Sequence, residues 1–105
     1  MSNYPEKFSG FDRGDDNVAE RTIEVLNKFG LHARPSMMLV QTTGRFKSEI
    51  VISRDDMEVN GKSIMGVMML AAGKGSKLTF RAEGPDAEEA LDAVGKLFED
   101  KFSEE

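Results

Sequence analysis

Hydrophobic positions along this chain switch between a period of two and a helical period of about 3.6, and each switch marks an element. Thr22 to Leu26 alternates, with Ile23 and Val25 on one face, which predicts a short strand. Asn27 to Leu31 is a loop carrying Gly30. Ala33 to Thr43 reads as a helix, with Pro35 in the first turn, where a missing N–H does no harm, and Gly44 as its stop. Glu49 to Ser53 is a strand with Ile50 and Ile52 on one face, Arg54-Asp55-Asp56 a turn, and Met57 to Val59 a second, shorter strand. After the turn signal Asn60-Gly61, Ser63 is placed to cap a short helix from Ile64 to Leu70, followed by a loop from Ala71 to Ser76.

Leu78, Phe80 and Ala82 alternate with Thr79, Arg81 and Glu83, a strand that Gly84-Pro85 ends. Asp86 then reads as an N-cap with Glu89 as its capping-box partner. Ala90, Leu91, Val94, Leu97, Phe98 and Phe102 form one stripe of a final helix, whose other face is largely Asp, Glu and Lys. The order is β-α-β-β-α-β-α. Longer strands with a single apolar face predict a two-layer α/β (α+β) domain, an antiparallel sheet with its helices on one side.

Residues 1–17 show neither period. Pro5, Gly10, Gly14 and the run Asp15-Asp16 predict a flexible acidic tail ahead of a domain over 18–105. Tyr4, Phe8 and Phe11 are separated by polar residues and glycine, unlike the apolar run of a secretory signal. A length of 105 residues suffices for one modest core. A net charge of −5 argues against nucleic acid as a partner. The absence of cysteine removes thiolate chemistry and cysteine metal sites and fits a reducing compartment. No apolar run reaches membrane-spanning length, so the expectation is a cytoplasmic protein without membrane contact.

The single histidine, His32, lies between the Gly30 loop and a helix start, in the run Gly30-Leu31-His32-Ala33-Arg34-Pro35. A lone histidine there is more often a cap or a surface residue than a catalyst. Three features argue otherwise. Gly30 allows close approach of backbone to a ligand. Pro35 fixes the helix start, whose free N–H groups and dipole form an anion site. Arg34 adds a planar fork of donors suited to phosphate oxygens. A nucleophilic imidazole beside such a pocket suits phosphoryl acceptance. A second histidine for a metal pair is missing, and no Ser/His/Asp arrangement is evident, so neither a metal site, a cofactor nor an independent enzyme is expected.

The run Gly-Leu-His-Ala-Arg-Pro resembles the active-site signature of HPr, the phosphocarrier family of the bacterial phosphoenolpyruvate-dependent phosphotransferase system. Lys62-Ser63-Ile64-Met65-Gly66-Val67-Met68-Met69-Leu70 resembles that family's second signature, centred on a regulatory serine, at matching spacing. The resemblance covers residues 20–102. It implies an open-faced β-sandwich with four antiparallel strands and three helices on one face. It implies that enzyme I, the phosphoenolpyruvate-protein phosphotransferase, phosphorylates His32 at Nδ1, that Arg34 contacts the phosphoryl group, and that an enzyme IIA domain receives it. The Ser63 block resembles sugar-system HPr. The first strand, together with Gly84-Pro85 and Glu88-Glu89-Ala90-Leu91, resembles the nitrogen-related paralogue, so the branch stays open.

Ser63 reads both as an N-cap and, by the resemblance, as a target of HPr kinase/phosphorylase. A seven-residue helix cannot bury every side. Val67 and Leu70 are expected to point inward. Ile64, Met65 and Met68 resemble the family's partner-binding face, an apolar patch beside His32 with Arg34 and Lys62 at its rim. A monomer suits a protein that shows one face to several partners. The competing reading is a regulatory binding module controlled through Ser63 without phosphotransfer.

Overall fold

The computed structural model describes residues 17–104; the tail expected over residues 1–17 lies, apart from Asn17, outside the described residues. Strand β1 spans Val18–Glu24, helix α1 Ala33–Thr43, β2 Glu49–Arg54, β3 Met57–Asn60, α2 Ile64–Met69, β4 Lys77–Glu83 and α3 Ala87–Glu99, before a 3-10 turn at Lys101–Ser103. The sheet order is β1-β4-β2-β3, antiparallel throughout. Both β1 and β2 run antiparallel to β4, so they run parallel to each other with β4 between. Such a connection needs a long crossover, and α1 supplies it; α2 does the same between β3 and β4. The expected order and the helices on one face of a four-stranded sheet are what the structure has.

Why one face carries all three helices follows from β4. Leu78, Phe80 and Ala82 are fully buried, whereas Lys77, Arg81 and Glu83 are exposed. Ile50 and Ile52 of β2 join the buried face from the neighbouring strand. The opposite face keeps polar cross-strand pairs, among them Thr22 and Thr79, whose hydroxyls lie 3.1 Å apart. An apolar row of this kind is stable only under cover, and the helices provide it.

Beyond one-residue shifts at the ends of β2, β3 and α2, three differences from the sequence reading bear on the packing. The first strand runs over 18–24 rather than 22–26, because Ala19 pairs with Ala82 and is buried, so the ladder extends towards the N-terminus. Val25 leaves the ladder but still exchanges hydrogen bonds with the following loop, to Ser76 O and from Gly75 N–H. Asn17 already accepts from the Gly84 N–H at 2.8 Å.

The second difference concerns Asp86. It stands at the N-cap position of α3, but its carboxylate makes no bond to that helix. It reaches instead to the start of β2, accepting from the Lys47 and Ser48 N–H groups, both at 2.9 Å, and from Ser48 Oγ at 2.6 Å. Gly84 makes this approach possible: its φ is +151°, and a Cβ there would lie 2.6 Å from Ser48 Cα. The expected capping box with Glu89 is therefore replaced by a clasp between α3 and β2.

The third difference is at the C-terminal end. Helix α3 buries Ala87, Ala90, Leu91, Val94 and Phe98 as its stripe requires, but it ends at Glu99. Lys101, Phe102 and Ser103 then adopt left-handed φ values of 51°, 55° and 60°. Each such residue costs roughly 1–2 kcal/mol relative to the right-handed form. Phe102 offsets part of this, since it is fully buried and its ring meets Phe98 edge-on at 4.9 Å. Phe98 in turn meets Phe80 at 5.6 Å. Periodicity could not show the break, because Phe102 falls on the same side of a continuing helix.

The Asp86 clasp has a pH signature. The Ser48 hydroxyl, then the Lys47 N–H, hold the carboxyl at about 2, below its ordinary 3.8. The stabilisation is thus fully present above pH 3.8 and lost as pH falls towards 2. Asp86→Asn, which must present an amide N–H to a backbone N–H, is expected to be less stable at pH 6. Urea midpoints should show its gap from the wild type closing between pH 6 and pH 2.

Candidate functional site

Two loops meet at the end of the sheet and set the start of α1. The Leu31 N–H donates to Ala72 O at 2.8 Å. Gly30 sits against the same strand of backbone, with φ +69°; a Cβ there would lie 2.4 Å from Ala72 O. Asn27, fully buried, donates through Nδ2 to Gly30 O at 2.7 Å. Ser36, also buried, donates its hydroxyl to Leu31 O at 3.0 Å. The loop is therefore held from both sides, and His32 emerges from it as the N-cap residue of α1 in an extended conformation.

His32 accepts the Ser36 N–H at its carbonyl, 3.0 Å, while its side chain makes no cap bond. Pro35 has no N–H to offer, so the Ala33 and Arg34 amides are the unsatisfied donors at the head of the helix. The imidazole is 42% exposed, enough for another protein to reach it. Phe29 stands edge-on to the ring at 6.2 Å. Beside it lies a surface depression of about 390 Å³ lined by Lys28, Phe29, Arg34, Ser103 and Glu104. Arg34 thus shares this depression with Phe29 and Glu104, the two residues whose side chains meet the His32 ring.

Glu104 was not singled out from the sequence. Its Oε2 lies 2.9 Å from His32 Nε2, and its Oε1 accepts from Asn27 Nδ2 at 3.0 Å. The left-handed turn at 101–103 brings it there. No hydrogen bond engages His32 Nδ1 among the described residues.

Ser63 caps α2, its Oγ accepting from the Gly66 N–H at 3.1 Å. Val67 and Leu70 point inward, as expected. Met65 and Met68 are exposed and Ile64 is half-buried. Met69, Met37 and Phe29 are also exposed, and none of these had been assigned to the patch. Lys62, just ahead of α2, turns towards the end of α1. Its Nζ donates to Phe46 O at 2.6 Å, just past the C-terminal end of α1. The α1 residue Thr43 also reaches Gly61 O, at 2.8 Å. The start of α2 therefore sits by the far end of α1, and His32 heads that helix about 16 Å away along its axis. Lys62 directly precedes the Ser63 cap of α2, on the side of that helix away from His32.

The comparisons with known proteins bear on this arrangement. Residues 19–100 match the family model described as the PTS HPr component phosphorylation site. The phosphocarrier protein HPr of Treponema pallidum is 53% identical over 81% of this chain and 97% of its own. The chain belongs to the HPr family. A crystal structure of HPr from Thermoanaerobacter tengcongensis superposes with a TM-score of 0.80 at 49% identity, covering 83% of this chain and 98% of that one. Crh of Bacillus subtilis, described as a dimer with a swapping domain, gives 0.64 at 40% identity, covering 75% and 91%. As an HPr-family member the chain is a phosphocarrier component of the phosphotransferase system, not an independent enzyme. Among the described residues no helix is long and apolar enough to cross a membrane.

Gly30→Ala tests the seating of this site. It forces a side chain into a left-handed position and against Ala72 O, and is expected to cost at least about 1 kcal/mol. Chemical denaturation reads the loss, and the His32 ring resonances in an NMR spectrum should shift with it.

Proposed function

We propose that His32 takes a phosphoryl group at Nδ1 from phosphorylated enzyme I and passes it to an enzyme IIA domain. The observation that carries this reading is the placing of the chain's only histidine: half-exposed, at the head of α1, with Arg34 and two unsatisfied helix amides around it. A transferring phosphoryl group carries negative charge on three oxygens, and these donors are what such charge requires. The Nδ1 lone pair forms the new bond to phosphorus. The donor's bond to phosphorus breaks, its electron pair remaining on the donor. The same steps in reverse deliver the group onward, which an exposed ring permits.

Docking falls to Ile64, Met65 and Met68; Met69 on α2 and Met37 on α1 are further exposed methionines. Methionine side chains adapt to unlike partners, as a relay between two proteins needs. We assign residues 18–105 to the phosphocarrier domain and 1–17 to a separate tail. The protein acts as a monomer in the cytoplasm, in sugar transport or its nitrogen-related counterpart. Ser63 is the site for HPr kinase/phosphorylase. A phosphate there would lie at the far end of α1 from His32, beyond the roughly 8 Å over which exposed charges interact at physiological salt. It would act on docking rather than on the ring.

The deciding test is intact mass after incubation with phosphoenolpyruvate and cognate enzyme I. One acid-labile phosphoryl group is expected on the wild type and none on His32→Ala; an unmodified wild type overturns the reading. Ser63→Asp is expected to raise the KM for this protein in the enzyme I reaction about tenfold or more while leaving kcat within about twofold, as loss of uniform binding does. Wild-type kinetics for that variant would remove Ser63 from the scheme.

A further inference from the structure

Stability alone does not explain the C-terminal end of this chain. After Glu99 the backbone takes three consecutive left-handed residues, and the result is to carry Glu104 back to the head of α1. Nor does it explain Asn27. That side chain is fully buried, gives its Nδ2 protons to Gly30 O and Glu104 Oε1, and leaves its Oδ1 without a hydrogen-bond partner among the described residues. A buried, unsatisfied acceptor costs about 1–3 kcal/mol, which an apolar residue at this position would avoid. What both features achieve together is a carboxylate fixed against His32 Nε2.

We propose that Glu104, held by Asn27, is a positioning residue for phosphoryl transfer at His32. This deepens the reading of His32 as the phosphoryl acceptor and rests on it. An ionised carboxylate only accepts hydrogen bonds, so the proton shared at 2.9 Å belongs to Nε2. The lone pair of the neutral ring is then on Nδ1, the nitrogen that faces no protein partner. As Nδ1 bonds to phosphorus, the donor's bond breaks and its electrons stay with the donor. The Nε2 proton remains in place and the ring becomes positive. Glu104 stands where that charge develops and compensates it, so its effect is larger in the transition state than before it.

The test combines two readouts on Glu104→Ala and Glu104→Gln, both at a position near the chain end. In 15N-edited NMR of the unphosphorylated protein, the wild type should show a slowly exchanging, downfield Nε2–H resonance that Glu104→Ala loses. In single-turnover transfer from enzyme I, Glu104→Ala should slow phosphoryl uptake by on the order of tenfold to a hundredfold at saturating protein. Glu104→Gln, which keeps an acceptor but not the charge, should retain the resonance and recover little of the rate. An Nε2–H signal unchanged in Glu104→Ala overturns the proposal whatever the transfer data show. So does wild-type uptake by Glu104→Ala when His32→Ala takes up nothing, an outcome that leaves the phosphocarrier reading intact. A wild type that accepts no phosphoryl group overturns both.

Discussion

The structure depends on a sheet that has one apolar face and must hide it. Leu78, Phe80 and Ala82 on the central strand are buried to the last, and the strands beside β4 complete the surface. Each crossover must then run over that face as a helix. The start of α1 is consequently pinned at the sheet end, where the Gly30–Leu31 backbone meets Ala72. His32 sits at that pinned start. Its position is a by-product of covering the sheet, and its orientation is set by a handful of polar bonds added on top.

Those bonds have a common logic. Asn27, Ser36, Thr43 and Ser48 are the buried polar residues among those described; the first three give their side-chain protons to backbone carbonyls at joints between elements, and Ser48 gives its own to the Asp86 carboxylate. Asn27 and Ser36 fix the loop before α1. Thr43 ties the end of α1 to the turn before α2. Ser48 receives Asp86. Apolar packing alone is tolerant of small sliding motions between layers, whereas a buried donor without its acceptor is not. The polar joints therefore set where the helix heads lie, and the helix heads carry the chemistry.

Much of this was legible in the sequence, for physical reasons that can be named. Alternation in β4 and the stripe of α3 are strong because one face is wholly buried. The start of helix α1 is legible because Pro35 acts locally; its end falls at Gly44 as read, although Gly44 stays right-handed, with φ −65°, and uses none of glycine's extra freedom. The candidate pair His32 and Arg34 stands out in the sequence because both lie in one contiguous run. Other features depend on contacts distant in sequence. Ala19 joins the ladder only because Ala82 is opposite it. Asp86 looked like a cap since the acceptor it could serve locally is indistinguishable, in one dimension, from the Lys47–Ser48 amides it serves in fact. Lys62 is read from its motif as a rim charge of the α2 patch, and that its ammonium reaches Phe46 O at the end of α1 is a contact the motif does not show. Glu104 was out of reach because nothing in Asp100 to Glu104 announces a left-handed turn; without glycine or asparagine there, the turn rests on contacts distant in sequence, the burial of Phe102 among them.

A carrier also has to let go, and the exposure of the site bears on that. His32 is 42% exposed and Glu104 15%, so their contact is partly in water. Contacts of this kind contribute little to stability, about 0–1 kcal/mol for exposed pairs. An enzyme that buries its histidine and carboxylate gains a strong field but binds its phosphoryl group to one pathway. Here the Glu104 carboxylate is tethered by the buried Asn27 amide, while the His32 side chain stays partly open to solvent. Geometry is fixed without a deep well on either side of the transfer. Such a balance suits a group that must be accepted from one protein and surrendered to another through the same exposed nitrogen.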